Sequence, residues 1–336
     1  MKKHWLWLCV GFVILVSGGI VAALLEPTQT VRGYFAGDAF YRGRPTRYWR
    51  KYLRADGGYG RVSSTNVSRF SDTHAAFAVL RECASDPHWK VRRSAIALLG
   101  AGEARSEEIL SVLVGALDDE DEAVRLQAVK ALDHWGPMAR SAVPALANRL
   151  KNDSVLLVVH YADIALWDID PSAAVGLCGW RRFRSDEGKF TVMLPSEPEH
   201  SEPFIPFADT HSFVALHKIG SHNGDVAYGI FVSEFPAEFL EGKNKEEIMA
   251  KERDSTLEKF RGKLIGEQPI EQNGWKGLEL RFDIEEEGLS VRRRLFWADN
   301  RLYQVWVTGV PQFLNIRAAD YFIASFQPDQ REPERR

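Results

Sequence analysis

Apolar positions along this chain follow three rhythms in succession. The first is an unbroken run: Trp5 to Leu25 contains no charged residue. The second, from Thr73 to about Trp167, has the 3.6-residue period of an amphipathic helix and repeats itself. Phe77, Leu110 and Val143 recur at an offset of 33, as do Leu80, Leu113 and Leu146, and Ala84, Leu117 and Leu150. An aspartate follows each set: Asp86, Asp119 and Asp153. Val91, Ala95 and Leu99 then map onto Val124, Ala128 and Leu132, and onto Val158, Ala162 and Leu166. The last step is 34, which places one inserted residue near Lys151–Asn152. Such recurrence predicts stacked helix pairs. In the second copy Ile109, Leu110, Leu113, Ala116 and Leu117 mark the first helix, and Val124, Ala128, Ala131, Leu132 and Trp135 mark the second. Gly136-Pro137 ends it. No pair can bury its stripe alone, so stacking must make the core continuous.

From Trp180 the period changes to 2, the alternation of a half-buried strand. Lys189–Leu194, His211–Lys218 and Ala227–Phe231 alternate, with Asn223-Gly224 as a hairpin turn between the last two. Lys245–Phe260 returns to helical spacing, with Ile248, Met249, Leu257 and Phe260 expected to face inward. Asn273-Gly274 then joins two strands, the second carrying Leu278, Leu280, Phe282 and Ile284 on one face. Turns at Glu287-Gly288 and Asp299-Asn300 lead into Val291–Trp297 and Leu302–Thr308. Asn315–Phe326 closes as a helix. The expected product is an antiparallel sheet with two helices, an α+β domain.

The pattern divides the chain into residues 1–26, a transmembrane signal-anchor; 27–72, a juxtamembrane spacer with a short capping helix over 46–54; and 73–171, three helix pairs. Residues 172–179 are a linker, 180–327 the α+β domain and 328–336 a charged tail. As a helix the first run would span about 30 Å of hydrocarbon. Lys2 and Lys3 precede it and only Arg32 follows within fifteen residues, so the positive-inside rule keeps the N-terminus cytoplasmic and exports the body to the periplasm or an equivalent compartment. Val21-Ala22-Ala23 leaves a cleaved signal peptide as the competing reading.

Two resemblances follow from particular residues. Asp86, Val91, Arg92, Ala95 and Leu99 in copy one, and Asp119, Val124, Arg125, Ala128 and Leu132 in copy two, resemble the HEAT-repeat family. Ala142-Val-Pro-Ala-Leu146 resembles the opening of such a repeat, with proline in the first turn. Copy three departs: Val159 stands where the arginine would be and Asp163 at an apolar position. The resemblance implies a protein-binding solenoid, with the arginine ladder of the family weakened at its end. Phe190-Thr-Val-Met-Leu-Pro195, Arg301-Leu-Tyr303 and Phe322-x3-Phe326 resemble the PsbP/Mog1-like family, which implies a second binding module and carries over no catalytic set. The fold class is then multi-domain: an N-terminal transmembrane helix, an all-α HEAT-like solenoid and an α+β domain with an antiparallel sheet.

Composition adds exclusions. The formal net charge of −3 argues against nucleic acid as the partner, and the 26% charged and 45% hydrophobic fractions are those of a globular chain. Cys9, Cys83 and Cys178 form neither a disulfide framework nor a metal spacing. His211 and His217 share a strand face but would lie about 20 Å apart at strand rise, too far for one ion. Glu285-Glu286-Glu287 and Arg292-Arg293-Arg294 are expected to form cross-strand ion pairs. No phosphate loop, HExxH, GxSxG or CxxC occurs, so no catalytic, cofactor or metal residue is assigned. Arg93, Gln127, Lys130 and His134 are the expected exposed protein-binding positions on the second helices. Arg42, Arg44, Arg47, Arg50 and Lys51 are candidates for lipid headgroups, against the reading in which their helix caps the first repeat. The function expected is a membrane-anchored, exported scaffold for an unidentified protein partner. The alternatives are an exported enzyme or small-ligand receptor using the α+β domain, and an accessory subunit of a membrane complex.

Overall fold

A computed structural model of the chain describes residue 21 and residues 26–55, 68–195, 197–200, 211–219, 226–311 and 317–329. The run Trp5–Leu25, apart from Val21, and the turn Asn223-Gly224 lie outside the described residues. Among the described residues no helix is long and apolar enough to cross a membrane. The chain divides into two compact units at Ile169/Asp170, each described here by itself.

The first unit opens with helix α1 (Thr30–Ala36), a two-residue hairpin of β1 (Phe40–Tyr41) and β2 (Arg44–Pro45), and α2 (Thr46–Ala55). Three helix pairs follow. They are α3 (Thr73–Ala84) with α4 (Trp89–Ala101), α5 (Glu107–Gly115) with α6 (Glu122–Trp135), and α7 (Val143–Asn152) with α8 (Leu156–Ile169). Each start has a local cause. Asp72, Ser106 and Asp121 accept the backbone N–H of Ala75, Ile109 and Ala123, which satisfies donors the first turn leaves free. Pro144 sits in the first turn of α7, where its missing N–H costs nothing. The second helices stack in one layer, α4 on α6 and α6 on α8. Ala95, Ala128 and Ala162 are fully buried there, so small side chains allow the helix axes to close up. The Trp135 indole N–H donates to the Gly100 carbonyl at 3.2 Å, tying the end of α6 to the end of α4.

α2 packs on α3 and α4 through Trp49 and Leu53. Tyr41, Trp49 and Phe70 form a ring cluster with centroids 4.9–5.6 Å apart, the range in which aromatic pairs attract. The Ser94 hydroxyl donates to the Leu53 carbonyl at 3.3 Å.

The second unit begins with α9 (Pro171–Leu177), β3 (Arg181–Ser185), β4 (Phe190–Leu194), β5 (Glu199–His200), β6 (His211–Ile219) and β7 (Val226–Glu234). Then come α10 (Ala237–Leu240), α11 (Lys245–Lys259), β8 (Lys263–Gln272), β9 (Trp275–Ile284), β10 (Leu289–Ala298), β11 (Arg301–Gly309), α12 (Arg317–Ser325) and β12 (Gln327–Pro328). Seven strands form an antiparallel sheet in the order β5-β6-β7-β11-β10-β9-β8, and β12-β4-β3 form a smaller one. The β8–β9 turn has positive φ at both Asn273 and Gly274, which suits this dipeptide and the twist of the strands.

Leu280, Phe282 and Ile284 point to the face that α10 and α11 cover, against Ile248, Met249 and Leu257. Phe260 does not join them: α11 stops at Lys259 and the Phe260 ring is 42% exposed. α12 and β4 cover the other face through Phe190, Phe322 and Phe326, packed on Tyr228, Phe296 and Tyr303.

The expected pairing of the two charge triplets does not form. Ile284 pairs with Leu289, so Glu285–Glu287 occupy the turn and cannot lie opposite the arginines. Arg292 and Arg294 instead grip Glu279, Arg294 Nε at 2.6 Å and Arg292 Nη2 at 3.2 Å, while Arg281 Nη2 reaches its other oxygen at 2.9 Å. Glu285 and Glu286 pair with Lys263 and Arg261. Arg293 points to the opposite face, where Nη1 donates to Thr256 Oγ1 at 2.7 Å and Nη2 approaches Glu252 at 3.3 Å.

Glu279 is 1% exposed. Burial pushes its pKa up, but hydrogen bonds and charge from Arg294, Arg292 and Arg281 outweigh burial and hold it at about 2. A carboxylate with a depressed pKa stabilises the fold above its unfolded value, and that contribution is lost as pH falls from about 4.5 towards 2. We therefore expect Glu279→Gln to lower the stability of the second unit by about 3 kcal/mol at neutral pH, since the largely buried guanidinium groups of Arg292 and Arg294 lose their counter-charge. The gap between variant and wild type should narrow as urea denaturation is repeated down to pH 2.5.

Candidate protein-interaction surface

The repeat register is held by a ladder of arginine–aspartate pairs. Arg92 in α4 donates through Nε and Nη2 to Asp119 of the next repeat at 2.7 and 2.8 Å. Arg125 in α6 does the same to Asp153 at 2.8 and 2.9 Å. Both guanidiniums also reach back into their own repeat. Arg92 Nη1 donates to the Asp86 and Pro87 carbonyls, and Arg125 Nη1 to the Asp119 and Glu120 carbonyls. Each aspartate in turn accepts a backbone N–H two residues on, from His88, Asp121 and Val155. One short polar side chain therefore shapes the inter-helix turn and receives the neighbouring repeat. Bidentate pairs of this kind fix geometry as well as adding energy.

The ladder extends beyond the repeats at its N-terminal end. Arg50 of α2 contacts Asp86 at 2.8 Å, so α2 supplies the rung that a preceding repeat would supply. At the other end Val159 stands at the position of Arg92 and Arg125. The break expected in copy three is thus a terminus and not a weakness within the array.

The hydrogen bonds that Arg92 donates to Asp119 raise its pKa, and those that Arg125 donates to Asp153 do the same. Burial pushes Asp153 up, but its bonds from Arg125 and from the Val155 N–H leave it lowered. Arg92→Met should therefore cost about 3 kcal/mol, because it strands a largely buried carboxylate. Asp119→Ala should cost a similar amount, and the double variant less than the sum of the two in a denaturation cycle.

The rigid stack brings equivalent positions of the second helices into rows. Arg93, Leu126 and His160 form one row, and Ala97, Lys130 and Ile164 another. Of the four expected contact positions, His134 is exposed and Gln127 and Lys130 are half-buried. The Lys130 ammonium lies 4.2 Å from the Tyr161 ring centroid, held by its quadrupole. Arg93 is a correction: it is only 2% exposed, because α4 is buried on every side from Val91 to Gly100. Sequence reasoning missed Leu126, whose half-exposed apolar side chain lies at the place Arg93 occupies in the first copy. The 33-residue offset would have found it.

The basic stretch is mostly engaged. Arg47 makes a bidentate pair with Asp38 at 2.7 and 3.0 Å, which lowers the aspartate pKa and raises that of the arginine. Arg50 serves Asp86. Arg42 donates to the Ser71 hydroxyl at 3.2 Å and Arg44 lies 5.3 Å from the Tyr48 ring centroid. Arg42, Arg50 and Lys51 remain exposed. The side chains of His211 and His217 lie outside the described residues, and among those described no group of three or more His, Cys, Asp or Glu is placed to hold a metal ion. Burial raises the Cys83 thiol to about 12, so it is not a nucleophile at neutral pH.

Asp133, near the end of α6, faces Asp168 of α8. Burial first, then the charge and hydrogen bond of Asp168, push its pKa up to about 7. An aspartate that binds its proton more tightly when folded lowers stability as pH rises from about 4 through about 7. Asp133→Asn should accordingly melt above wild type at pH 8 and with it at pH 4, as followed by circular dichroism.

The fold thus combines a helical-repeat array with an α+β unit. The family model of HEAT repeats matches residues 77–167. No curated protein matches the chain. Among solved structures, cyanobacterial PsbP (CyanoP) from Synechocystis is similar over 46% of this chain and 95% of its own, at 10% identity and a TM-score of 0.35. A Pseudomonas aeruginosa protein of unknown function, described as a putative regulator, is similar over 45% of this chain and 98% of its own, at 15% identity and a TM-score of 0.31. A designed armadillo repeat protein is similar over 46% of this chain and 73% of its own, at 19% identity and a TM-score of 0.28.

Proposed function

We propose that this chain is a membrane-anchored scaffold that docks a protein partner on the partly exposed side chains of α6 and α8. The observation that carries the reading is the ladder. Three arginine–aspartate rungs hold successive helices in fixed register. What such rigidity supports is a preformed surface, which binds at a lower ordering cost than a flexible one. The HEAT-repeat match over residues 77–167 supports the same reading at the level of the family.

In this reading Trp5–Leu25 spans the bilayer, the N-terminus with Lys2 and Lys3 stays in the cytoplasm, and both units lie on the far side. Leu126, Lys130 and His134 are the contact residues of the central repeat. Gln127 and Tyr161 flank them. The chain works by binding, without a cofactor, and neither nucleic acid nor a catalysed reaction enters the account.

Leu126→Glu combined with Lys130→Glu inverts the charge of this surface without touching a rung or the buried stripe. Full-length protein carrying both changes should lose a partner recovered by affinity capture from solubilised membranes, at wild-type melting temperature. A partner set identical to wild type, read by quantitative mass spectrometry, would remove this surface from the account.

A further inference from the structure

Helix α1 is built inside out. Its one buried residue is Gly33, which sits against Pro45 so closely that a β-carbon there would lie 2.3 Å from the proline Cβ. The opposite side carries Val31, Tyr34 and Phe35, at i, i+3 and i+4. Tyr34 is 75% and Phe35 83% exposed, and their rings meet edge to face at 5.8 Å. A helix on a globular unit ordinarily turns its apolar stripe inward. Here the stripe points out and the polar backbone of the glycine face is what seats the helix. Asp38 N–H donates to the Gly33 carbonyl at 3.0 Å, and Asp38 is itself gripped by Arg47, so the orientation of α1 is set by the unit below it.

Two further facts select what covers this stripe. Only Glu26–Thr30 separate it from the uncharged run that ends at Leu25, a reach of at most about 18 Å. Arg32, in the same helix, is exposed, as is Arg42 in the turn between β1 and β2, while Asp38 is paired with Arg47. Aromatic rings flanked by arginine, within that distance of a membrane span, have the chemistry of the bilayer interface, where tyrosine and other amphipathic rings settle at headgroup depth. We propose that Val31, Tyr34 and Phe35 insert into the headgroup–acyl boundary of the bilayer and hold the repeat unit against the membrane surface. The inference rests on the anchor reading given above and deepens it: the protein is not a bead on a flexible tether but one whose first unit is set down on the lipid through α1.

The test uses full-length protein reconstituted into vesicles of phosphatidylethanolamine and phosphatidylglycerol. An environment-sensitive nitrobenzoxadiazole label is placed at Phe35→Cys, with Tyr34→Cys as a second site and His134→Cys as a control, in a background where Cys9, Cys83 and Cys178 are replaced by alanine. Labels at 34 and 35 should emit at shorter wavelength and be quenched several-fold more by lipids spin-labelled near the headgroup than the label at 134. Alkaline extraction of the same vesicles reports the anchor separately. Protein that resists extraction but whose 34 and 35 labels behave like the control overturns the inference and leaves the anchor standing. Protein stripped by alkali overturns both. A short-wavelength shift without lipid quenching, lost on dilution into excess vesicles, assigns the stripe to a second copy and also overturns it.

Discussion

The first unit depends on one carboxylate per repeat being used twice. Asp86, Asp119 and Asp153 each close the turn between paired helices and each receive a guanidinium from the element before. The two jobs reinforce each other. The backbone N–H holds the aspartate in one rotamer, and a fixed carboxylate can accept both nitrogens of an incoming arginine. The arginine then spends its third nitrogen on carbonyls at the helix start of its own repeat. Apolar burial drives the helices together, but burial has no direction along a stack of similar stripes. The ladder supplies that direction: a one-turn slip would strand largely buried charges on both sides, at several kcal/mol per ion.

The second unit solves a different problem with the same residue types. Its seven-stranded sheet carries helices on both faces, so charges under them are taken out of water. Glu279 on one side is compensated by three arginines, with Asp320 on Arg292 removing part of the excess positive charge. On the other side Arg293 rests among Thr256 and Glu252, and burial lowers its pKa to about 10. Neighbouring arginines in the sequence thus serve opposite layers, as strand alternation requires.

Where sequence reading reached and where it stopped follows from the range of the interactions involved. Helices and strands whose apolar positions recur at a fixed period, such as Ile109–Leu117 or Leu278–Ile284, could be read directly, because the period itself encodes the buried face. The repeat offset also located both members of the Arg92–Asp119 and Arg125–Asp153 rungs. What could not be read was which distant charge a charge would find. Arg292–Arg294 looked bound for Glu285–Glu287 until the register of the hairpin put the acids in the turn. Arg93 was expected on the exposed side of the second helix, and the burial of α4 from Val91 to Gly100 covers it. Arg50 looked free for lipid because nothing in its own stretch opposes it, and its partner lies 36 residues on, at Asp86. Glu279 alternates with Leu278 and Leu280 and so reads as facing solvent. Only the packing of α12 on that side buries it.

The same distinction bears on how the N-terminal segment is joined to the repeats. Residues 27–72 read as a spacer whose short helix over 46–54 either caps the first repeat or offers its basic face to lipid headgroups. Three separate contacts weld it down: the Arg50 rung on Asp86, the Tyr41–Trp49–Phe70 ring cluster, and the Ser94 hydroxyl on the Leu53 carbonyl. α2 is therefore part of the array, filling the place of a zeroth repeat and hiding the edge that α3 and α4 would otherwise expose. Its connection to α1 is equally firm, through Arg47 on Asp38 and Gly33 on Pro45. A chain of fixed joints then runs from the outward stripe of α1 to the first rung of the ladder. The direction in which Tyr34 and Phe35 point is consequently fixed relative to the face of α4, α6 and α8, and whatever surface receives those two rings also determines how the repeat array is presented.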